Sequence, residues 1–408
     1  MRRKIVMGTV AITALAGVAF AAANGGIGNG GKPLIQLAAQ SADTASGQSD
    51  LVVPAAEPKA GDKVANSYIC VFRNAMVQRG NERAEAVRAA RAAGGNIAYV
   101  YENTVRGFAV NASAQGVENM RRGNAAIAYC EQDQIATIID PVNSLAKPGG
   151  GGGTAPAQVT PYGITRVGGG LAGTYRTAWV LDTGIDLDHP DLNVDVPRSR
   201  NFVSRETSPE DLNGHGTHVA GTIAALNNSI GVIGVAPGAP VVAIRVLNRR
   251  GSGSYADIIA AVDYVGANAA AGDVANMSLG GGASQALDDA VVAAAGRGII
   301  FSLAAGNEST SATTKSPARA NGANVYTVSA INSSDVFASF SNFGNPPIDW
   351  AAPGVGVQST WLSGGYNTIS GTSMAAPHVA GLYLLGAVRA DGLAINDPDG
   401  NRDPIARH

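Results

Sequence analysis

The feature that most constrains this chain is an alternation: between residues 177 and 330, short apolar runs are separated by alanine-rich stretches. The runs are TAWVLD (177–182), PVVAIRVL (240–247), DVANMSL (273–279), GIIFSLAAG (298–306) and NVYTVSA (324–330). Between them lie GTHVAGTIAAL (216–226), YADIIAAVDYVGANAA (255–270) and QALDDAVVAAAG (285–296), all of helical length. Strands of this kind are buried on both faces, and a helix following each strand covers them. The alternation therefore predicts an α/β domain with a mostly parallel sheet. Ligands in such sheets bind beyond the carboxyl ends of the strands, so residues just past each run are the candidates for chemistry. Composition agrees, since 53 glycines and 19 prolines in 408 residues imply many tight turns yet stay below the ~25–30% of a low-complexity chain. With 29 basic and 31 acidic residues the net charge is −2, which gives no reason to expect nucleic acid or an acidic membrane surface as partner.

Four segments precede this domain. Residues 1–23 start with Arg2, Arg3 and Lys4, continue as one apolar run and end with small residues at Ala19, Ala21 and Ala23. That is the pattern of a secretory signal peptide, with an uncleaved anchor as the alternative. The mature protein is expected to be exported, with no membrane association after cleavage. Residues 24–65, rich in Gly, Ala, Ser and Pro, read as a flexible spacer. Strand-like YICVF (68–72), helical ERAEAVRAARAA (82–93), strand-like IAYVY (97–101) and GFAVNA (107–112), helical GVENMRR (116–122) and strand-like AIAYC (126–130) then follow. The order β-α-β-β-α-β is a split βαβ arrangement, for which a domain over 66–145 is expected. A glycine run at 149–153 marks a linker, 146–156, before the α/β domain at 157–408.

Three strand-end motifs in that domain carry the residue types of a nucleophilic triad. Asp182 lies in LDTGID, His215 in NGHGTHVAGT (213–222) and Ser373 in GTSMAAPHVAGL (371–382). A serine hydroxyl is a weak nucleophile until an imidazole takes its proton, and the imidazole needs a carboxylate to fix its tautomer. Each residue alone is an ordinary turn or cap residue; the three motifs in the order Asp, His, Ser are far more specific. Over nearly all of residues 66–385 the sequence resembles the subtilisin-like serine proteases, the subtilases. The resemblance implies a subtilisin-like three-layer α/β domain preceded by a small α+β, ferredoxin-like propeptide domain. It also implies Asp182 as orienter, His215 as general base, Ser373 as nucleophile and Asn307, in SLAAGNES, as a side-chain donor to the oxyanion. His215 and His218 form H-x-x-H without the glutamate of a zinc helix, and His218 and His378 read as structural. No phosphate-binding glycine motif and no G-x-S-x-G elbow is present, which argues against nucleotide binding and an esterase.

The family's two edge strands for an extended substrate match Gly251, Ser252 and Gly253, and Ser278, Leu279 and Gly280. Ala304, Ala305 and Gly306 would complete a permissive primary pocket, while Lys315 reads either as an acid-tolerant end of that pocket or as an exposed loop lysine. In the family a loop like LNNSIGV (226–232) wraps calcium. The matching positions here are Gln158, Asp191, Leu226, Asn228, Ile230 and Val232, an oxygen-only set suited to Ca²⁺. The segment before the linker would inhibit its own enzyme and aid its folding, with a cut between about Asn143 and Ala157. For Cys70 and Cys130 both a bridge and two buried thiols remain open. The short polar tail after the serine helix implies reduced final packing. A secreted, monomeric, self-processing serine endopeptidase of broad specificity is the expected function, acting on proteins or peptides. An inactive peptide-binding relative and a free-standing inhibitor are the alternatives.

Overall fold

The computed structural model describes residues 57–138 and 156–408. The first of these segments comprises β1 (Lys63–Phe72), α1 (Glu82–Ala92), β2 (Asn96–Tyr101), β3 (Gly107–Asn111), α2 (Ala114–Gly123) and β4 (Ile127–Ile138). Its strands pair antiparallel in the order β4-β1-β3-β2. Side chains alternate across a strand, and β1 shows the result. Cys70 and Phe72 pack with Ala86, Ala89 and Met120 of the two helices, whereas Ile69 and Val71 face the other way into a second core. Cys70 lies opposite Cys130 in the β1–β4 register, and the two are joined as a disulfide. β1 begins at Lys63, inside the expected spacer, because Gly61 and Asp62 already pair with Ile135.

The α/β part opens with α3 (Tyr162–Val167), β5 (Ala178–Asp182), β6 (Arg200–Asn201), α4 (His215–Ala224), β7 (Val241–Arg245), β8 (Ser252–Ser254) and α5 (Tyr255–Asn268). Next come β9 (Val274–Met277), β10 (Leu279–Gly282), α6 (Gln285–Ala295), β11 (Ile300–Ala304), β12 (Lys315–Ser316), β13 (Val325–Ile331) and β14 (Ile348–Pro353). A hairpin, β15 (Val357–Trp361) and β16 (Gly365–Ile369), precedes α7 (Thr372–Leu385) and the final pair β17 (Arg389–Leu393) and β18 (Pro404–Arg407).

The central sheet runs β17-β18-β14-β13-β11-β9-β5-β7-β6, parallel throughout except at the β17–β18 edge. The alternation in TAWVLD decides which layer each residue joins. Trp179 and Leu181 pack with α5 and α6, while Ala178 and Val180 pack with α4. α7 lies on the α4 side, and its alanines and Val379 fill the space over β13 and β14. The tail is more ordered than its polar composition suggests: Ala394, Asp403, Ile405 and Ala406 are buried, and β18 extends the sheet beside β14. The expected loss of final packing is therefore corrected to a two-stranded edge. Among the described residues, no helix is long and apolar enough to cross a membrane.

The two parts meet along α5 and α6. Ile69, Val71, Tyr101 and Ala109 of the small sheet share one core with Ile259, Val262 and Val291 of those helices. Acidic side chains secure the contact. Asp133 accepts from Ala256 N at the start of α5, and Glu131 accepts from Ser284 Oγ, Gln285 N and Ala286 N at the start of α6. Carboxylates at helix amino termini satisfy orphan N–H groups and complement the helix dipole. Asp263 of α5 receives five hydrogen bonds from the β2–β3 turn, donated by Glu102 N, Asn103 N and Nδ2, and Thr104 N and Oγ1.

Candidate active site

Asp182 ends β5, His215 opens α4 and Ser373 is the second residue of α7, so all three sit where strands or helix starts face the cleft. His215 Nδ1 lies 2.7 Å from Asp182 Oδ1, with both side chains buried. The same carboxylate oxygen accepts from Thr183 N at 2.7 Å. Glycine lets α4 come this close to β5: a Cβ on Gly216 would lie 2.1 Å from Gly184 O. Gly214, which precedes His215, has φ +106°, a left-handed value that glycine adopts without strain.

Ser373 is held from β10's side. Ser278 Oγ donates to Ser373 O at 2.9 Å, and Ser373 Oγ donates to Ser278 O at 3.2 Å. Asn307 lies just past β11, and its Oδ1 accepts from Thr372 N at 2.9 Å and Thr372 Oγ1 at 3.0 Å. Those bonds fix which end of the amide is oxygen, so Nδ2 lies toward Gly371. Sequence reasoning missed two supporting groups. One is Thr372. The other is Asp211, a buried carboxylate that accepts from Thr183 Oγ1, Asn213 N and Gly214 N at one oxygen and from Thr217 N and Oγ1 at the other. Asp211 thereby ties the loop after β5 to the start of α4. The sequence signal was the acid in EDLNGHGTH, which no spacing rule marks.

His218 and His378 are buried, with ring nitrogens 3.0 Å from Val357 O and 2.7 Å from Met374 O. Burial pulls their pKa values down to about 3 and about 4, so both are neutral at ordinary pH. Among the described residues no three His, Cys, Asp or Glu side chains gather as a metal cluster.

The expected edge strands are β8, with Gly251 just before it, and β10, with Ser278 just before it. Between them lies the end of β4, a residue run the sequence reading stopped at Cys130. Ile135, Ala136 and Thr137 pair antiparallel with Ser254, Gly253 and Ser252, while Thr137 and Ile138 pair with Gly280 and Leu279. Ile138 N donates to Gly251 O at 2.7 Å, and a Cβ on Gly251 would lie 2.7 Å from Ile138 Cγ1. Ala304, Ala305 and Gly306 line a cavity of about 10 Å³ beside Gly280, with Glu308 and Lys315 also in its wall. The expected cut between Asn143 and Ala157 falls largely on 139–155, outside the described residues.

The six candidate calcium positions also converge. Asp191 is buried, and its oxygens accept from Asn228 Nδ2 at 2.8 Å, Val232 N at 3.1 Å and Tyr366 OH at 3.2 Å. Gln158 Nε2 donates to Leu226 O at 2.8 Å and Val232 O at 3.4 Å, and Ala157 bridges Ile230. Burial raises the Asp191 pKa above the usual carboxylate range, against the pull of those donors. The Tyr366 hydroxyl's bond to Asp191 is a contact that sequence reasoning did not find.

A buried Asp–His pair, a serine at a helix start and an amide beside it, on a three-layer α/β scaffold, define a serine hydrolase. The subtilase family model matches residues 179–389. The chain is 41% identical to alkaline serine exoprotease A of Vibrio alginolyticus over 299 residues, covering 70% of this chain and 52% of that protein. It is 40% identical to subtilisin NAT of Bacillus subtilis subsp. natto over 329 residues, covering 78% and 79% of the two chains. The crystal structure of a cold adapted subtilisin-like serine proteinase matches with a TM-score of 0.53 and 40% identity, over 60% of this chain and 96% of the other. The chain belongs to the subtilase family of serine endopeptidases.

Proposed function

We propose that this chain is the precursor of a secreted serine endopeptidase that is held inactive by its own amino-terminal domain and processes itself. The proposed boundaries are a signal at 1–23, a spacer at 24–65, an inhibitory propeptide at 66–145, a linker at 146–156 and a catalytic domain at 157–408. One observation carries the reading: the end of β4 is laid as an extended strand between β8 and β10, ending opposite Leu279, the neighbour of Ser278, whose carbonyl accepts from Ser373 Oγ. A peptide substrate seated in the same way adds a strand to the two edges.

His215 Nε2 takes the proton of Ser373 Oγ as that oxygen attacks the carbonyl carbon of the substrate, and Asp182 stabilises the imidazolium at Nδ1. Asn307 Nδ2 and Ser373 N donate to the developing oxyanion. Collapse expels the amine, which takes the proton from His215, and leaves an acyl group on Ser373. Water, deprotonated by His215, then releases the acid.

The residues around Asp191 fit calcium. Turning the amide of Gln158 through 180° would set its oxygen beside Leu226 O and Val232 O, whereas Asn228 Oδ1 accepts from Ile230 N and would have to leave that bond to join the Asp191 carboxylate in a hard-oxygen set with one charge. A bound Ca²⁺ would supply a cross-link between the start of the catalytic domain and loop 226–232. Gln158, Asp191, Leu226, Asn228, Ile230 and Val232 are the proposed ligand positions.

The intact mass of secreted wild type beside Ser373→Ala tests the reading. Loss of everything before about residue 157 in wild type, with an uncut propeptide in the mutant, is the expected result. Full-length protein in both cases would leave an inactive peptide-binding relative as the better reading. Identical trimming in both would remove self-processing.

A further inference from the structure

The protease reading, on which this inference rests, leaves open which side chain the enzyme prefers on the acyl side of the cut bond. In β4's register Thr137 faces Gly280 and Ile138 faces Leu279, so the next position of a bound peptide falls opposite Ser278. Ser278 O is 3.2 Å from Ser373 Oγ, so the residue at that position presents its carbonyl to the nucleophile. Its side chain meets the cavity walled by Gly280, Ala304 and Gly306.

We infer that an ion pair between Glu308 and Lys315 closes the far end of this cavity and restricts it to short, uncharged side chains, so that the enzyme cuts after residues such as alanine and serine. Lys315 is carried on β12, which pairs with β10 through Gly282, and Glu308 follows Gly306 and Asn307. Lys315 Nζ lies 3.1 Å from Glu308 Oε1. Glu308 is itself fixed: Oε2 accepts from Asn342 Nδ2 at 2.6 Å, and Glu308 N donates to Asn342 Oδ1 at 3.1 Å. Asn342 is buried and is anchored in turn by donating to Ala305 O at 2.9 Å. The lysine is therefore tethered to a carboxylate that the protein holds in place.

Two consequences follow for selectivity. The cavity holds about 10 Å³ of free volume, far below the ~300–1,000 Å³ of pockets that enclose larger ligands. A phenylalanine or tyrosine ring must push aside the lysine stem and break its tether. An acidic side chain meets an ammonium group already neutralised, with the Glu308 carboxylate beside it, so like-charge repulsion offsets the attraction. The acid-tolerant role left open for Lys315 by the sequence is thus reversed by its partner.

The test uses the processed enzyme from the full chain and three peptides that differ only before the scissile bond, carrying Ala, Phe or Glu. Ratios of kcat/KM are read, which cancels changes in the amount of active enzyme. Wild type should favour Ala over both Phe and Glu by about tenfold or more, the scale of one charge-assisted interaction. Glu308→Gln keeps the amide contact with Asn342 but frees the lysine charge, and should raise the Glu/Ala ratio about tenfold. Lys315→Ala removes the stem and should raise the Phe/Ala ratio by a similar factor without raising Glu/Ala. Wild type that cuts Phe as fast as Ala, or variants whose ratios stay within about twofold of wild type, would overturn the inference. If wild type cuts none of the three peptides, the protease reading fails and the inference with it; cleavage of Ala alone that persists in Ser373→Ala would fault the nucleophile and not the pocket.

Discussion

Removing the Asp263 carboxylate should loosen the grip of the small domain on the catalytic domain. Asp263 is buried in α5, and its two oxygens receive five hydrogen bonds, at 2.8 to 3.2 Å, from the turn at 102–104. Hydrogen bonds to a charged group are each worth about 1.5–3 kcal/mol, but a sum over five overstates the loss because the freed turn bonds to water after release. Truncating one side of a buried, hydrogen-bonded charge at an interface costs about 2–5 kcal/mol. Asp263→Ala should therefore weaken inhibition by the separately added propeptide by about 30-fold to several-thousand-fold. Asp263→Asn keeps one acceptor oxygen and should fall between that and wild type. The measurement is the inhibition constant of the added segment against each processed enzyme, relative to its own uninhibited rate. A constant within about threefold of wild type for Asp263→Ala would refute the reasoning.

Asn307→Leu should lower kcat by about 10²–10³ with a smaller change in KM, a magnitude known from this family's own oxyanion asparagine and not worked from these distances. Chelation should lower the thermal midpoint of the processed enzyme, and Asp191→Asn should abolish that chelator effect; equal shifts in both proteins would exclude the proposed calcium positions. Inhibition should also depend on pH. Burial at the interface holds Asp133 and Asp257 above the usual carboxylate range, against the hydrogen bonds that stabilise their ionised forms. The complex therefore binds protons that the separated, re-solvated groups give up. Affinity is greatest below the ordinary carboxylate pKa and declines as pH rises through the raised values. The inhibition constant should increase as pH rises above the ordinary carboxylate pKa of about 4, more steeply than for Asp133→Asn, and a flat profile would contradict this.

Much of the scaffold was legible because the local signals agree with the global fold. The apolar runs beginning at 177, 240, 273, 298 and 324 became β5, β7, β9, β11 and β13, and the alanine-rich runs became α4, α5 and α6. What escaped detection depends on partners distant in sequence. The run EQDQIATI after Cys130 has no strand pattern of its own, since Glu131 and Asp133 serve as helix caps and Ile135–Ile138 are ordered by β8 and β10. The polar tail INDPDGNRDPIARH likewise becomes sheet only because β14 offers an edge to Ile405. The candidate site divides the same way. Asp182, His215 and Ser373 stand in motifs, whereas Asp211, Thr372 and Tyr366 are ordinary residues made important by the groups they reach.

β4 belongs to two structures at once. Its first half is the edge strand of the small antiparallel sheet, beside β1, and its last residues lie between β8 and β10. A cut anywhere beyond Ile138 removes none of these hydrogen bonds. In a chain that processes itself as proposed, severing the covalent chain and vacating the cleft would therefore be separate events: the first needs a single turnover, while the second needs an entire domain to depart or be digested. Under the proposed self-processing the molecule would pass through a nicked but silent state, with a lifetime set by how firmly the small sheet is seated, independently of how fast the bond is broken.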